Sequence, residues 1–170
     1  LMEFHKKNGG LSRYVKFRYF FEELRGRKVT DDEINKWANK FSEIMLDLLV
    51  EPDLLIDETM DYIKKNYNEK FMHVVSGSDQ EELRHICKSL EIDHYFKSIN
   101  GSPTPKNELV KSILESKSYE KDNCVLIGDS INDFNAAREN QVQFFGYNNK
   151  NLLNHTENYI YNFDDTKRNS

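Results

Sequence analysis

The chain has 170 residues, with 24 Lys+Arg against 29 Asp+Glu and a net charge of −5 at neutral pH, which is the size of one domain or of a compact domain with an insertion. That balance, with no basic block, excludes sequence-general nucleic-acid binding, and no uncharged apolar run approaches the ~18 residues of a membrane span. Cys87 and Cys124 lie far apart inside apolar patterns, which predicts reduced core thiols in a soluble, cytoplasmic protein rather than a disulfide framework.

Leu1 to Gly10 reads as the last turns of a helix closed by glycine, with no N-cap before it. A helix entered halfway predicts an N-terminal truncation, and the polar stretch from Asp164 to Ser170 predicts a frayed tail. Phe17, Phe20, Phe21 and Leu24 recur at helical spacing, with Gly26 as a stop. A second helix opens on a capping box, Thr30 to Glu33, and carries Ile34, Trp37, Ala38, Phe41, Ile44, Met45 and Leu48 on one face. The two make an antiparallel hairpin, and Pro52 breaks the pattern.

Short apolar runs then alternate with amphipathic helices, the signature of a mostly parallel α/β sheet. A helix with Ile56, Met60, Ile63 and Tyr67 leads to a strand at Phe71 to Val75, and a helix with Leu83, Ile86, Cys87 and Leu90 follows. A short strand near Lys97 to Asn100 precedes a helix from Pro105, which feeds a buried strand at Cys124 to Ile127. A helix from Ser130 to about Asn140 and a strand at Val142 to Tyr147 complete the alternation.

Ligands of such sheets bind beyond the carboxyl ends of the strands. After the first strand, Ser78 and Glu81 form a capping box and leave Ser76 over. Its hydroxyl and the following N–H groups suit one phosphate oxygen, or simply a polar turn. Thr104 is placed as an N-cap, Pro105 at the first helical position and Lys106 next. Lysine there opposes the helix dipole, a cost that a bound anion reverses and that a solvated surface residue tolerates. In Gly128-Asp129-Ser130-Ile131-Asn132-Asp133, Ser130 and Asp133 fit a capping box, while Asp129 at a buried strand tip requires a counter-charge. Carboxylates at i and i+4 across this turn suit one hard cation, which makes Asp129 and Asp133 candidate Mg²⁺ ligands.

In order, Val75-Ser76-Gly77, Lys106 and Gly128 to Asp133 resemble the motifs of the haloacid dehalogenase-like (HAD) phosphohydrolases, over residues from about 51 to 150. The resemblance implies a Rossmann-like, three-layer parallel core over residues 51–170 and a small helical cap over residues 1–50, like that of phosphoglycolate phosphatase and β-phosphoglucomutase relatives. It implies that Ser76, with Gly77, binds the transferring phosphoryl group, that Lys106 stabilises its charge, and that Asp129 ligates Mg²⁺ with Asp133 in support. Gly10-Leu11-Ser12-Arg13 is similar to the relatives' cap specificity loop, so Arg13, and Lys16 one turn later, are expected to face a small phosphorylated metabolite; ordinary solvated charge is the alternative.

The family's nucleophilic Asp-x-Asp after a first strand has no counterpart here. The resemblance places that missing strand centrally, between those ending at Ser76 and Asp129, so two unpaired inner edges are expected. The expected activity is a Mg²⁺-dependent phosphatase working through an aspartyl phosphate. The alternatives are a non-catalytic phosphate- and metal-binding module and a sugar phosphomutase.

Overall fold

The computed structural model describes residues 11–164. The readings of Leu1 to Gly10 and of the last six residues lie outside them. The described chain forms helices α1 (Arg13–Tyr19), continued by a π-helical turn (Phe20–Leu24), α2 (Asp31–Leu49) and α3 (Asp57–Asn66). It continues through β1 (His73–Asp79), α4 (Gln80–Ser89), β2 (Ser98–Ser102), α5 (Lys106–Lys117), β3 (Val125–Gly128), α6 (Ile131–Asn140), β4 (Gln143–Tyr147) and β5 (Tyr159–Ile160). Every strand pairing is parallel, as expected when helices cross over between strands.

The strands form two sheets, β1-β2 and β3-β4-β5. Among the described residues β1 pairs with β2 alone and β3 with β4 alone. Among the described residues the other edge of β1 and that of β3 carry no paired strand. One core nevertheless spans both sheets. Val110 and Leu114 of α5, Ala136 and Ala137 of α6, and Val142, Phe144 and Leu152 are buried together, with Val75 of β1 and Leu126 of β3 packed against them. Each fully buried Leu or Phe contributes roughly 1.5–3 kcal/mol, so the α5-α6 pair joins the two sheets.

Several sequence expectations need correction. The strand expected at Phe71 to Val75 starts at His73 and runs on to Asp79, because its ladder to β2 resumes at Asp79 opposite Ser102 after a register shift. The run expected to be buried at Cys124 to Ile127 is not: Val125 is 54% and Ile127 38% exposed. In a strand, successive side chains face opposite ways, and here one face lacks cover. The N-cap of α4 is Asp79 rather than Ser78, its carboxylate accepting from the N–H groups of Glu81 and Glu82. Likewise Pro105 occupies the N-cap position of α5 with no side-chain capping bond, so Lys106 is its first residue and Thr104 stands outside. Thr30 caps α2 by accepting from Glu33 N–H, while the Glu33 carboxylate bonds Arg27 instead of closing the box. The two-residue β5 was too short to read from the sequence.

In the hairpin, Gly26 has φ +61° and ends the first helical run as predicted. Phe21, Val29 and Ile34 form a small core with Tyr14, Phe17 and Phe20 against it. The expected apolar stripe of α2 is buried at Ile34 and Ala38, whereas Trp37, Phe41, Ile44 and Leu48 are substantially exposed. Cys87 and Cys124 are free thiols, and burial pushes both pKa values up. Among the described residues no helix is long and apolar enough to cross a membrane.

His73 on β1 meets Ser98 Oγ at 2.7 Å and Tyr119 Oη at 3.1 Å. Burial, then Lys117 and Lys97, lower its pKa from the usual 6.5. The unfolded chain therefore takes up a proton here before the folded one does, and stability present above about pH 6.5 is lost as pH falls toward the lower folded value. Urea midpoints should fall between about pH 7.5 and 5.5, and His73→Gln should flatten that slope.

Candidate active site

The carboxyl ends of β1, β2 and β3 carry the candidate residues, as the parallel architecture requires. Ser76 and Gly77 lie inside the last part of β1, and Ser76 Oγ accepts from Ser78 N–H at 3.1 Å. This is the local turn bond of the polar-turn reading, and it leaves the hydroxyl proton to donate. A Cβ at Gly101 of β2 would sit 2.6 Å from the Ser78 carbonyl and 2.8 Å from Gln80 Cα, so glycine there lets the β1–α4 turn close onto β2.

Lys106, at the start of α5, pairs with the Asp133 carboxylate across 27 residues of sequence. Their side chains are 12% and 7% exposed. The other Asp133 oxygen accepts from Ser130 N–H at 3.0 Å and Ser130 Oγ–H at 2.7 Å, while Ser130 Oγ accepts from Asp133 N–H at 3.2 Å. The predicted capping box is thus complete. A Cβ at Gly128 would strike the Asp133 side chain, so glycine at the end of β3 makes room for that carboxylate.

Asp129 is exposed. The premise that it lies at a buried tip demanding a counter-charge is therefore overturned, since β3 leaves its open edge and tip to solvent. Its backbone carbonyl accepts from Asn149 Nδ2 at 2.7 Å, which ties the loop after β4 to the β3 tip. Asp129 directly precedes Ser130 in the chain and carries a hard anionic carboxylate. Mg²⁺ sites use one or two carboxylates, completed by waters and substrate phosphate. By donor chemistry Asp129 fits such an ion, whereas the Asp133 oxygens are engaged with Ser130 and Lys106. Among the described residues no group of three or more His, Cys, Asp or Glu could enclose a metal.

Arg13 does not face an open cleft. Its Nη1 donates to Glu82 Oε2 at 2.7 Å and to Ser42 Oγ at 2.6 Å, its Nη2 to Glu82 Oε1 at 2.5 Å, and the guanidinium stands 4.8 Å over Phe41. The pair is buried, at 11% and 2% side-chain exposure. Next to it Tyr14 Oη donates to Asp79 Oδ2 at 2.7 Å. Burial, then that carboxylate, push the phenol up to about 12. Lys16 is held below its usual value by burial and then by Arg13. Glu82, Asp79 and Tyr14 were missed as site-edge residues because each partner is more than sixty positions away. Ser102 Oγ and Asn132 Nδ2, both buried without a partner, were also missed. For Asn132 the signal was its place inside the quoted motif, and its N–H group calls for an oxygen acceptor.

Parallel strands joined by crossover helices, with a lysine and a capping-box carboxylate on the first turns of two of those helices and an aspartate at a strand tip, place the protein in the α/β class. More specifically, the chain belongs to the haloacid dehalogenase-like hydrolase family, whose model matches residues 3–147. A 5'-nucleotidase of Pseudomonas aeruginosa is 34% identical over 80 residues, covering 44% of this chain and 36% of that protein. The match thus spans about a third of that relative's length. In fold the chain resembles a β-phosphoglucomutase from Clostridium difficile (TM-score 0.79, 15% identity, 99% of this chain and 78% of that one). It also resembles a HAD-superfamily hydrolase from Ehrlichia chaffeensis (TM-score 0.57, 27% identity, 67% and 56%).

Proposed function

We propose that the protein is a Mg²⁺-dependent phosphatase that cleaves a small phosphorylated metabolite through an aspartyl-phosphate intermediate, with the nucleophile on a strand seated between β1 and β3. The observation that carries this reading is the Lys106–Asp133–Ser130 cluster, buried at the strand ends beside two open strand edges. Phosphoryl transfer depends on positioning and on positive charge around the equatorial oxygens. Lys106 supplies such a charge, and Asp133 with the Ser130 turn holds its ammonium in place. The Ser76 hydroxyl donates to a phosphoryl oxygen, and the N–H groups at Gly77 line the same strand end. Asp129 would hold Mg²⁺, which supplies Lewis-acid charge when bound. The helical cap comprises residues 1–50 and the core residues 51–170. Two free thiols support a cytoplasmic setting.

The test is phosphate release by the full-length protein from a panel of phosphomonoesters. Release should require Mg²⁺, stop on chelation, and fall by about 10²–10³ in Lys106→Ala, the scale for losing one preorganised charge stabiliser. Binding of phosphate and Mg²⁺ without turnover would instead make it a binding module. Interconversion of sugar phosphates without release would make it a mutase.

A further inference from the structure

β3 and β4 pair in parallel with Gly128 opposite Gly146, so the residues that follow each strand emerge together. Asn148, two residues beyond Gly146, has φ +55°, a left-handed conformation that redirects the chain as soon as β4 ends. Asn149 then meets the neighbouring strand tip, where its Nδ2 donates to the Asp129 carbonyl at 2.7 Å. That carbonyl belongs to the Asp129–Ser130 peptide, and the N–H of the same peptide donates to Asp133 Oδ2 at 3.0 Å. A peptide unit is planar, so bonds at its two ends fix its rotation. The β3 ladder holds the chain up to Gly128, and these two bonds hold the peptide after Asp129. The direction in which the Asp129 side chain leaves the strand tip is therefore set from both sides.

Asn149 is itself anchored along the chain in both directions. Its Oδ1 accepts from Asn151 N–H and its carbonyl from Leu152 N–H, each at 3.1 Å, and Leu152 is buried in the core. On the other side Tyr147, the last residue of β4, bonds Thr59 at 2.8 Å and Glu58 at 2.9 Å in the first turn of α3. A backbone carbonyl can only accept and an N–H can only donate. The two partners of the Asn149 side chain therefore demand a donor and an acceptor at one tip, which an amide supplies and a carboxylate does not.

We propose that Asn149 is a positioning residue for the candidate Mg²⁺ ligand: by holding the carbonyl of the Asp129–Ser130 peptide, it pre-aims the Asp129 carboxylate, and cation affinity depends on its amide. Partners behind a metal ligand act in this way because a ligand already oriented loses less freedom when the ion binds. The inference rests on the phosphatase reading for the role of Asp129, and it adds a residue from outside the Gly128 to Asp133 motif, twenty positions further along the chain.

Mg²⁺ titrations of the full-length protein by calorimetry, each paired with a urea midpoint, provide the test. Asn149→Ser keeps an acceptor for Asn151 N–H but is one bond shorter than the amide that reaches Asp129. It should weaken Mg²⁺ binding about tenfold, the low end for residues behind a metal ligand, and leave the midpoint in place. Asp129→Asn, which removes the ligand's charge, should weaken binding further. Asn148→Gly, at a φ that glycine adopts freely, should keep the affinity within about twofold. Unchanged affinity in Asn149→Ser, or an equal loss in Asn148→Gly, overturns the inference and spares the phosphatase reading. A midpoint that falls in step with the affinity makes Asn149 a structural tie and overturns it as well. No Mg²⁺ binding, or binding that Asp129→Asn leaves untouched, sinks both the inference and the metal role on which it rests.

Discussion

Asp133→Ala should destabilise the chain by about 3–5 kcal/mol, the scale for breaking a buried ion pair by removing one partner. Two losses combine. The Lys106 ammonium, whose side chain is 12% exposed, is left without its counter-charge, and the Ser130 N–H and hydroxyl lose their acceptor at the first turn of α6. A lost cap alone costs about 1 kcal/mol. Against a typical total of about 5–15 kcal/mol, the urea midpoint should drop by a large fraction. Asp133→Asn should fall between the two, since an amide oxygen can serve Ser130 or Lys106 but its NH₂ must then face the other's donor. Removing both charges with Lys106→Met and Asp133→Asn should recover part of the loss, because no unpaired ion is left behind. A midpoint change for Asp133→Ala worth under about 1 kcal/mol would show the pair to be solvent-screened and would remove the basis for Lys106 as a held charge.

The alternation that makes the chain α/β was legible because it lies in local spacing. Apolar residues three and four apart mark α4 and α5, and a short apolar run marks β3. The box at Ser130 and Asp133 was equally local. What escaped the sequence depends on distant partners. Whether Val125 and Ile127 are buried turns on what lies beside β3, and the alternation within four residues cannot show it. Asp79 displaced Ser78 as the cap because the β1–β2 ladder carries the strand on to Asp79, a register fixed by Ser102 twenty-three positions later. Lys106 was singled out for opposing the helix dipole, and the Asp133 carboxylate that the structure sets against it comes from 27 positions away. Arg13 and Glu82 meet across 69 residues. In sequence Glu82 is merely one charge on an amphipathic helix, and Arg13 reads as facing a substrate.

That pair carries the second large effect. Glu82→Ala should leave a guanidinium at 11% exposure with Ser42 and the Phe41 ring as its described company, again costing about 3–5 kcal/mol. Unlike Asp133, Glu82 joins the hairpin to α4, so the damage should be regional. Hydrogen exchange should speed up across α1 and α2 while β3 and β4 keep their protection, as expected when one cooperative unit loosens from another. Tyr14 supplies a second tie through Asp79, and its pKa near 12 sets the pH dependence. The unfolded chain ionises this phenol first, near pH 10, so the tie contributes fully below that and is lost as pH rises toward 12. Tyr14→Phe should therefore remove part of the alkaline loss of stability, with little effect on the exchange of β3 and β4. Replacing Arg13 and Glu82 together by methionine should restore stability if the cost comes from an orphaned charge, and should leave the hairpin loose if the hydrogen bonds themselves hold it to α4. Uniform acceleration of exchange across the whole chain in Glu82→Ala would mean that hairpin and core unfold as a single unit, and that the Arg13–Glu82 pair belongs to one common core rather than to a boundary.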